Sequence, residues 1–148
     1  MNINDVIELF KMGKATAKSH MRNLIEIAAA DGGLGTEEQR LLNYAAQRNN
    51  ISSPELQEMQ RNPSNVRFQV PASDREKFNQ MYDLVHMMSV DRDIHVEEQR
   101  LCEIFAIKFG FRQEIVREMI VLIRQNIEKW VGPEETMHTV MAKMKVFD

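Results

Sequence analysis

The sequence predicts an all-α protein, a single-domain bundle of about eight helices built from two related units, each a helix, an acidic loop and two further helices. Three observations support this fold class. Apolar residues recur at helical spacing along most of the chain. Capping and terminating residues stand at the ends of these runs. An acidic stretch that begins at Asp31 returns 60 residues later at Asp91, which indicates an internal repeat.

Length and composition narrow the class of protein. A chain of 148 residues with 43% hydrophobic residues is long enough to bury a core without a disulfide or a structural metal. Its net charge of -3 lacks the excess of basic residues that is typical of nucleic-acid-binding domains, so we expect no nucleic-acid partner. Cys102 is the only cysteine, and no run resembles a membrane span or a signal peptide. We therefore expect a cytoplasmic protein that is not an integral membrane protein.

The first unit is predicted to span residues about 15–61. A short helix over 4–13 precedes it, with Asn4 as its N-cap and a glycine at its end. The helices of the unit itself are predicted at about 15–30, 36–48 and 53–61. Ser53 and the proline after it are a strong start signal for the third of these, since serine favours the N-cap and proline the first helical position.

A linker over 62–73 joins the two units, because it holds two prolines and alternates polar and apolar residues as an extended segment does. The second unit, about 74–130, begins with a helix capped by Ser73. Its second helix ends at Gly110, since glycine most readily adopts the left-handed terminating conformation. The helix after it is so apolar that we place it at the centre of the bundle. A last helix covers about 133–146.

The repeat aligns without gaps, and its strongest run lies in and just after the acidic loop. The identical pairs are Met21/Met81, Leu24/Leu84, Asp31/Asp91, Glu37/Glu97, Glu38/Glu98, Gln39/Gln99, Arg40/Arg100, Leu41/Leu101 and Ala46/Ala106. Such a duplicated unit needs its partner to bury its apolar face, so the two copies are expected to pack together.

Each acidic loop has a structural interpretation as the start of a capped helix. With Gly35 and His95 at the N-cap, Glu38 and Glu98 fall at the third helical residue. A carboxylate there reaches back to the N–H of the cap residue and interacts favourably with the helix dipole. Asp31 and its copy would accept backbone N–H groups across the turn.

The same loops also have a functional interpretation, as a site for a divalent cation such as calcium or magnesium. Clustered carboxylates repel one another, and a hard cation relieves that repulsion. The spacing is not that of an EF-hand, because the twelfth residue counted from Asp31 or Asp91 is Leu42 or Cys102 instead of a glutamate. The candidate metal ligands are Asp31, Glu38, Asp91, Asp93, His95 and Glu98. Both interpretations stay open, and the second loop carries more ligands than the first.

The motif Asp-Gly-x-Leu-x-x-Glu-Glu after an apolar helix, followed by a second copy, resembles the tellurite-resistance TerB family and its wider TerB-like relatives. The resemblance runs from about residue 21 to the seventh predicted helix. It implies an all-helical bacterial protein without enzymatic activity, with an acidic face linked to divalent-metal binding, in stress or tellurite resistance. The matching acidic positions are Asp31, Glu38, Asp91 and Glu98. Two residues depart from the pattern, Arg92 in place of the usual glycine and Gly33 in place of a common acidic residue.

Residues outside the loops give weaker signals. Cys102 lies in an apolar helix with no identifiable base nearby, so we expect it to be buried and inert. Met137, Met141 and Met144 form a stripe on the last helix, which is typical of core packing. The alternative is a docking surface for a protein partner or for a second copy of the chain in a homodimer. Trp130 is expected to anchor the edge of the core.

These observations lead to three functional hypotheses. The first is a non-enzymatic TerB-like protein whose acidic loops bind a divalent cation or present charge to a partner. The second is a structural protein-interaction module in which the carboxylates act only as helix caps. The third, a metal-dependent hydrolase, ranks last because the sequence has no identifiable nucleophile or phosphate-binding element.

Overall fold

The computed structural model describes residues 2–30, 34–90 and 95–148, and for residues 6–12 it describes the backbone only. The described residues form α-helices and short 3-10 turns, with no β-strand among them, so the predicted all-α fold class is confirmed. The helices are α1 (Ile3–Ala29), α2 (Thr36–Arg48), α3 (Ser53–Arg61), α4 (Asp74–Ser89), α5 (Val96–Lys108), α6 (Val116–Glu128) and α7 (Pro133–Lys143). The 3-10 turns cover Pro63–Asn65 and Gln113–Ile115.

The first helix is longer than the sequence predicted. Residues 4–13 and 15–30 were expected to form two helices, but α1 runs through Gly13 without a break. Glycine inside a helix costs only about 1 kcal/mol relative to alanine, which the packing of a long helix can offset. The N-cap is Asn2 instead of Asn4, and its Oδ1 accepts a hydrogen bond from the Asp5 N–H at 2.9 Å.

The helix starts around the two loops and the linker lie close to their predicted positions. The helix α2 has the predicted bounds, and Ser73 caps α4 by accepting the Glu76 N–H at 3.1 Å. In α3 the cap is Ser52 instead of Ser53, because the Ser52 hydroxyl accepts the Glu55 N–H at 3.2 Å. The Pro54 ring therefore lies at the second helical residue.

The C-terminal part differs from the prediction in two ways. The helix α7 ends at Lys143 instead of near residue 146, and the segment after it is not helical. That segment is tied to the body of the protein, because the Val146 carbonyl accepts the Arg112 N–H at 2.8 Å. Beside it, the rings of Phe111 and Phe147 stack with centroids 4.6 Å apart. Packing against the rest of the chain therefore holds these residues in place.

The helix α4 is more central in the bundle than the apolar helix α6. The helix α4 contacts α1, α5, α6 and α7, while α6 leaves Val121 exposed on its outer face. Its buried residues are Val116, Met119, Ile120 and Ile123, which form one stripe. Apolar composition alone therefore overstated the burial of α6. No helix described here combines the length and apolar character required to cross a membrane.

The repeat is visible in the backbone as well as in the sequence. At the end of α2, Asn50 has a φ of 57° and the Ile51 N–H donates to the Ala46 carbonyl at 2.9 Å. At the end of α5, 60 residues on, Gly110 has a φ of 99° and the Phe111 N–H donates to the Ala106 carbonyl at 3.1 Å. Both ends are left-handed helix terminators followed by a buried apolar residue. Buried residues from both copies belong to one hydrophobic cluster.

Candidate functional site

The backbone on either side of the two acidic loops has the same conformation in both copies. Ala30 and Val90 end α1 and α4 in the right-handed helical conformation, each donating its N–H to the carbonyl three residues earlier. Gly35 and His95 begin α2 and α5 as extended N-cap residues, as predicted. The residues before and after each loop therefore have equivalent backbone conformations in the two copies.

The glutamates that follow the loops are buried. Glu38 is 6% exposed and Glu98 1% exposed, each at the third residue of its helix. Glu38 Oε1 accepts the Gly35 N–H at 3.1 Å, which is the expected reach-back of a capping box. A Cβ atom at position 35 would lie 3.0 Å from this oxygen, so glycine leaves room for the carboxylate.

The predicted ligand set is only partly described. Glu38, His95 and Glu98 are described, whereas Asp31, Asp91 and Asp93 lie outside the described residues. Within 2–30, 34–90 and 95–148, no group of three or more His, Cys, Asp or Glu side chains is arranged to hold a metal ion. The predicted site depends on the three aspartates, so the metal prediction stays a prediction.

A second polar cluster lies between α1, α2 and α4, and the sequence did not reveal it. His20 Nε2 lies 2.9 Å from Asp83 Oδ2, and an Arg48 guanidinium nitrogen lies 3.0 Å from the same oxygen. His20 is 3% exposed, and the side chains of Asp83 and Arg48 are 18% and 43% exposed. Since an ionised carboxylate only accepts hydrogen bonds, Nε2 must carry the proton of this contact.

The electrostatics of the cluster favour an ionised carboxylate. Burial acts to raise the pKa of Asp83, but the hydrogen bond and charge of His20 together with Arg48 outweigh it and hold that pKa below its ordinary value. Burial lowers the pKa of the neighbouring His86, with Asp83 opposing that effect and Arg48 adding to it. The Arg48 guanidinium also makes a cation–π contact, since it lies 5.1 Å from the centre of the Tyr44 ring.

His20, Arg48 and Asp83 are among the residues that line an open pocket of about 1010 Å³, which we name the α1–α4 groove. The residues that define it are Thr16, Ala17 and His20 of α1, Glu76, Gln80 and Asp83 of α4, and Arg48 of α2. Val70 and Ala72 of the linker form an apolar side of the groove. Ser19 holds that segment against α1, since its hydroxyl accepts the Gln69 N–H at 2.8 Å.

The repeat contained a signal for this cluster. Positions 20 and 80 are His and Gln, and positions 23 and 83 are Asn and Asp, so both copies place polar residues within the apolar stripe. Helical periodicity is read from the apolar residues, so it does not reveal polar residues at buried positions. Polar residues at the same core-facing positions of both copies indicate a polar layer where the copies meet.

Cys102 is buried, as expected. Burial raises the pKa of its thiol far above the ordinary value, with Glu98 and Glu103 adding to the effect. The Sγ atom lies 3.7 Å from the Leu84 carbonyl oxygen, to which it donates a hydrogen bond. A thiol in this environment stays protonated and is a poor nucleophile.

Comparison of the chain with protein-family models, with curated proteins and with solved structures found no match.

Proposed function

We propose that this chain is a non-enzymatic, TerB-like cytoplasmic protein that binds a divalent cation, calcium or magnesium, through its two acidic loops. A role in bacterial stress or tellurite resistance belongs to the same proposal, through the resemblance of the loop motif. The observation that carries it is the pair of buried glutamates, Glu38 and Glu98, held at equivalent positions directly after the two aspartate-bearing loops.

Carboxylates that meet at one site repel one another, and a bound hard cation relieves that repulsion. Glu98 is nearly inaccessible to solvent and follows the loop that carries Asp91 and Asp93. Carboxylate oxygens are the ligands that calcium and magnesium prefer. His95, the N-cap of α5, adds a nitrogen ligand to the second loop. We therefore assign the tighter site to the second loop.

Calorimetric titration of calcium, magnesium, manganese and zinc tests the proposal. The wild-type protein should bind calcium or magnesium saturably, and the double variant Asp91→Asn with Asp93→Asn should lose the tighter site. Glu97→Gln is the matched control, because Glu97 lies on the same helical turn but is exposed and paired with Arg100 at 3.4 Å. Lack of saturable binding by the wild type removes the cation proposal, and binding that survives the double variant moves the site away from the second loop.

One observation favours the structural alternative, a protein-interaction module whose carboxylates serve as caps. Glu38 already accepts the Gly35 N–H, so the first loop has a structural role for its glutamate. Glu38→Gln separates the two functions, because glutamine preserves the capping box but removes the charge. If the role is only capping, this variant should keep the metal-free melting temperature, and added cation should shift neither variant nor wild type. A partner protein or a second copy would then be sought by pull-down and by measurement of the oligomeric state.

A further inference from the structure

We propose that the outward face of α5 binds a second copy of this chain, with the two α5 helices packed antiparallel about a twofold axis. The surface consists of Val96, Arg100, Glu103 and Ile107, which we name the α5 seam. It lies on the helix that follows the second acidic loop, but it uses none of the predicted metal ligands. The proposal therefore goes beyond cation binding and does not depend on it.

The first argument is that α5 is apolar on two faces. Its inner face, with the buried Cys102 and Phe105, packs against α1 and α4. On the opposite face Val96 is 70% exposed and Ile107 45% exposed, and Ile104 is exposed beside them. A helix that packs on a core through one face normally carries polar residues on the other. The second apolar face is therefore typical of an interaction surface.

The second argument is the difference between the two copies. The helix α2 is the counterpart of α5, and its exposed residues show what a solvent-facing surface of this unit carries. The equivalent pairs are Thr36/Val96, Arg40/Arg100, Asn43/Glu103 and Gln47/Ile107. The first copy is polar at both ends of this row, whereas the second carries a branched aliphatic residue at each end. A single exposed apolar residue needs no explanation, but replacement at both ends of one row favours a covered surface.

The third argument is that the α5 seam is complementary to itself when it is reversed. Its residues follow one another at steps of four, three and four, the spacing of a coiled-coil seam, and they span about 60° of the helix circumference. In chain order they are apolar, basic, acidic and apolar. An antiparallel pair places Val96 against Ile107 of the second copy, and Arg100 against Glu103 of the second copy. A parallel pair would bring like charges together, so charge selects the antiparallel arrangement.

Both charged groups of the seam are available for these contacts. Arg100 is exposed and is paired within its own helix with Glu97 at 3.4 Å, a surface ion pair that contributes little and exchanges readily. Glu103 Oε1 accepts a hydrogen bond from Arg117 Nε at 2.9 Å, which holds the carboxylate in place. Because both oxygens of a carboxylate accept hydrogen bonds, Glu103 Oε2 can receive Arg100 of the second copy while Oε1 keeps Arg117.

Sedimentation velocity in the presence of a chelator tests the dimer independently of any cation. Because the seam belongs to one helix of each chain, the interface is small and the expected dissociation constant is micromolar. The wild type should change from monomer to dimer as its concentration rises to about 1 mM. The double variant Val96→Thr with Ile107→Gln gives α5 the residues of α2 at both ends of the seam. It should weaken dimerisation roughly tenfold or more, because four apolar side chains leave the interface.

Charge exchange identifies the partner surface and its orientation. Arg100→Glu places two carboxylates against each other, and Glu103→Arg places two guanidinium groups against each other, so each variant alone should be monomeric. An equimolar mixture of the two should dimerise again, since both contacts of the mixed dimer then join opposite charges. Arg40→Glu is the matched control and should dimerise like the wild type. Arg40 is the counterpart of Arg100 in the first copy and is likewise paired within its own helix, with Glu37 at 3.1 Å.

Circular dichroism verifies that each variant is folded. The proposal is overturned if the wild type stays monomeric over the whole concentration range, as it would if a different protein or a membrane covered this face. It is also overturned if Val96→Thr with Ile107→Gln dimerises as tightly as the wild type, since the contact would then lie elsewhere. A mixture that stays monomeric although both charge variants are folded has the same consequence. If Glu103→Arg does not fold, the wild type and the double variant still decide.

Discussion

Asp83 is the residue on which two basic side chains converge, and its charge should matter for stability. Replacing it by asparagine leaves Arg48 without its carboxylate partner and weakens the contact to His20. Loss of a partly buried charge partner of this kind costs about 2 kcal/mol. Asp83→Asn should therefore lower the free energy of unfolding at pH 7 by about that amount, as measured by chemical denaturation.

The pH dependence of the same variant follows from the lowered pKa of Asp83. A carboxyl whose pKa is lower in the folded than in the unfolded chain stabilises the protein above its ordinary pKa of about 3.9, and this contribution is lost as the pH falls through the folded value. Wild type and Asp83→Asn should thus differ most near neutral pH and converge below about pH 4. Asp74→Asn on the same helix is the control, since Asp74 is exposed. A difference in the free energy of unfolding between wild type and Asp83→Asn that stays constant down to low pH would contradict this account.

At the scale of a residue, the sequence predicted capping better than burial of polar groups. The N-caps Gly35, Ser73 and His95 were placed correctly. At Gly35 and Ser73 the capping hydrogen bond joins residues only three positions apart, so the signal is local. The environment of His20 depends on Asp83, 63 residues further along the chain, and no local pattern encodes that contact. The aspartates of the predicted metal site lie outside the described residues and stay predictions.

At the scale of an element, three helix ends among the described residues adopt a left-handed residue, and the residues there differ in how well they suit it. Asn50, Gly110 and Trp130 have φ values of 57°, 99° and 62°. Glycine adopts this region freely, whereas a residue with a Cβ pays about 1–2 kcal/mol. Trp130 is therefore a strained position, and it is 95% exposed instead of anchoring the core as predicted.

Exchanging residues at these helix ends should change stability in opposite directions. Gly110→Ala should destabilise by about 1 kcal/mol, and the cost is conformational because a Cβ there has its nearest neighbour, Lys77 Nζ, at 4.0 Å. Trp130→Gly should stabilise by up to about 1 kcal/mol, because an exposed side chain loses few contacts. Thermal melts of both variants measure the effect. Destabilisation by Trp130→Gly would mean that the indole makes contacts that outweigh the strain.

Helix boundaries were predicted correctly where the sequence holds a strong termination signal. They were predicted wrongly where the helix end depends on contacts with other parts of the chain. Gly110 ends α5 as predicted, because its left-handed conformation is a local property. Gly13 does not end α1, since a glycine with right-handed helical geometry only weakens a helix. The helix α7 ends at Lys143, and the segment after it contacts Arg112, which lies far away in the sequence, through the Val146 carbonyl.

At the scale of the whole molecule, the shared core predicts that the two copies unfold together. Leu24 and Leu84 are equivalent residues of the two copies, both almost fully buried in the same hydrophobic cluster. Leu→Ala at either position should lower the free energy of unfolding by about 3 kcal/mol and shift one common transition. Denaturation followed by circular dichroism, with hydrogen exchange at amides of both copies, tests this. Two separate transitions, one per variant, would show that the copies are independent domains.

The fold class was predictable because helical periodicity and repetition are properties of the sequence as a whole. The arrangement of the helices was not predictable, as the wrong prediction of α6 as the central helix shows. Apolar content marked α6 as central, whereas α4, which is less uniformly apolar, contacts four other helices. Position in the bundle depends on which helices surround an element, and hydrophobicity reports only the area that an element can bury.

The exposed Trp130 has a consequence for optical measurements. It is the only tryptophan in the chain, and the native protein already surrounds its indole with water. Its fluorescence should therefore resemble that of a solvated indole before unfolding as well as after it, and an aqueous quencher should reach it in both states. The tryptophan emission should then respond to events at the turn between α6 and α7, such as a partner covering the ring. It should change little when the hydrophobic core unfolds.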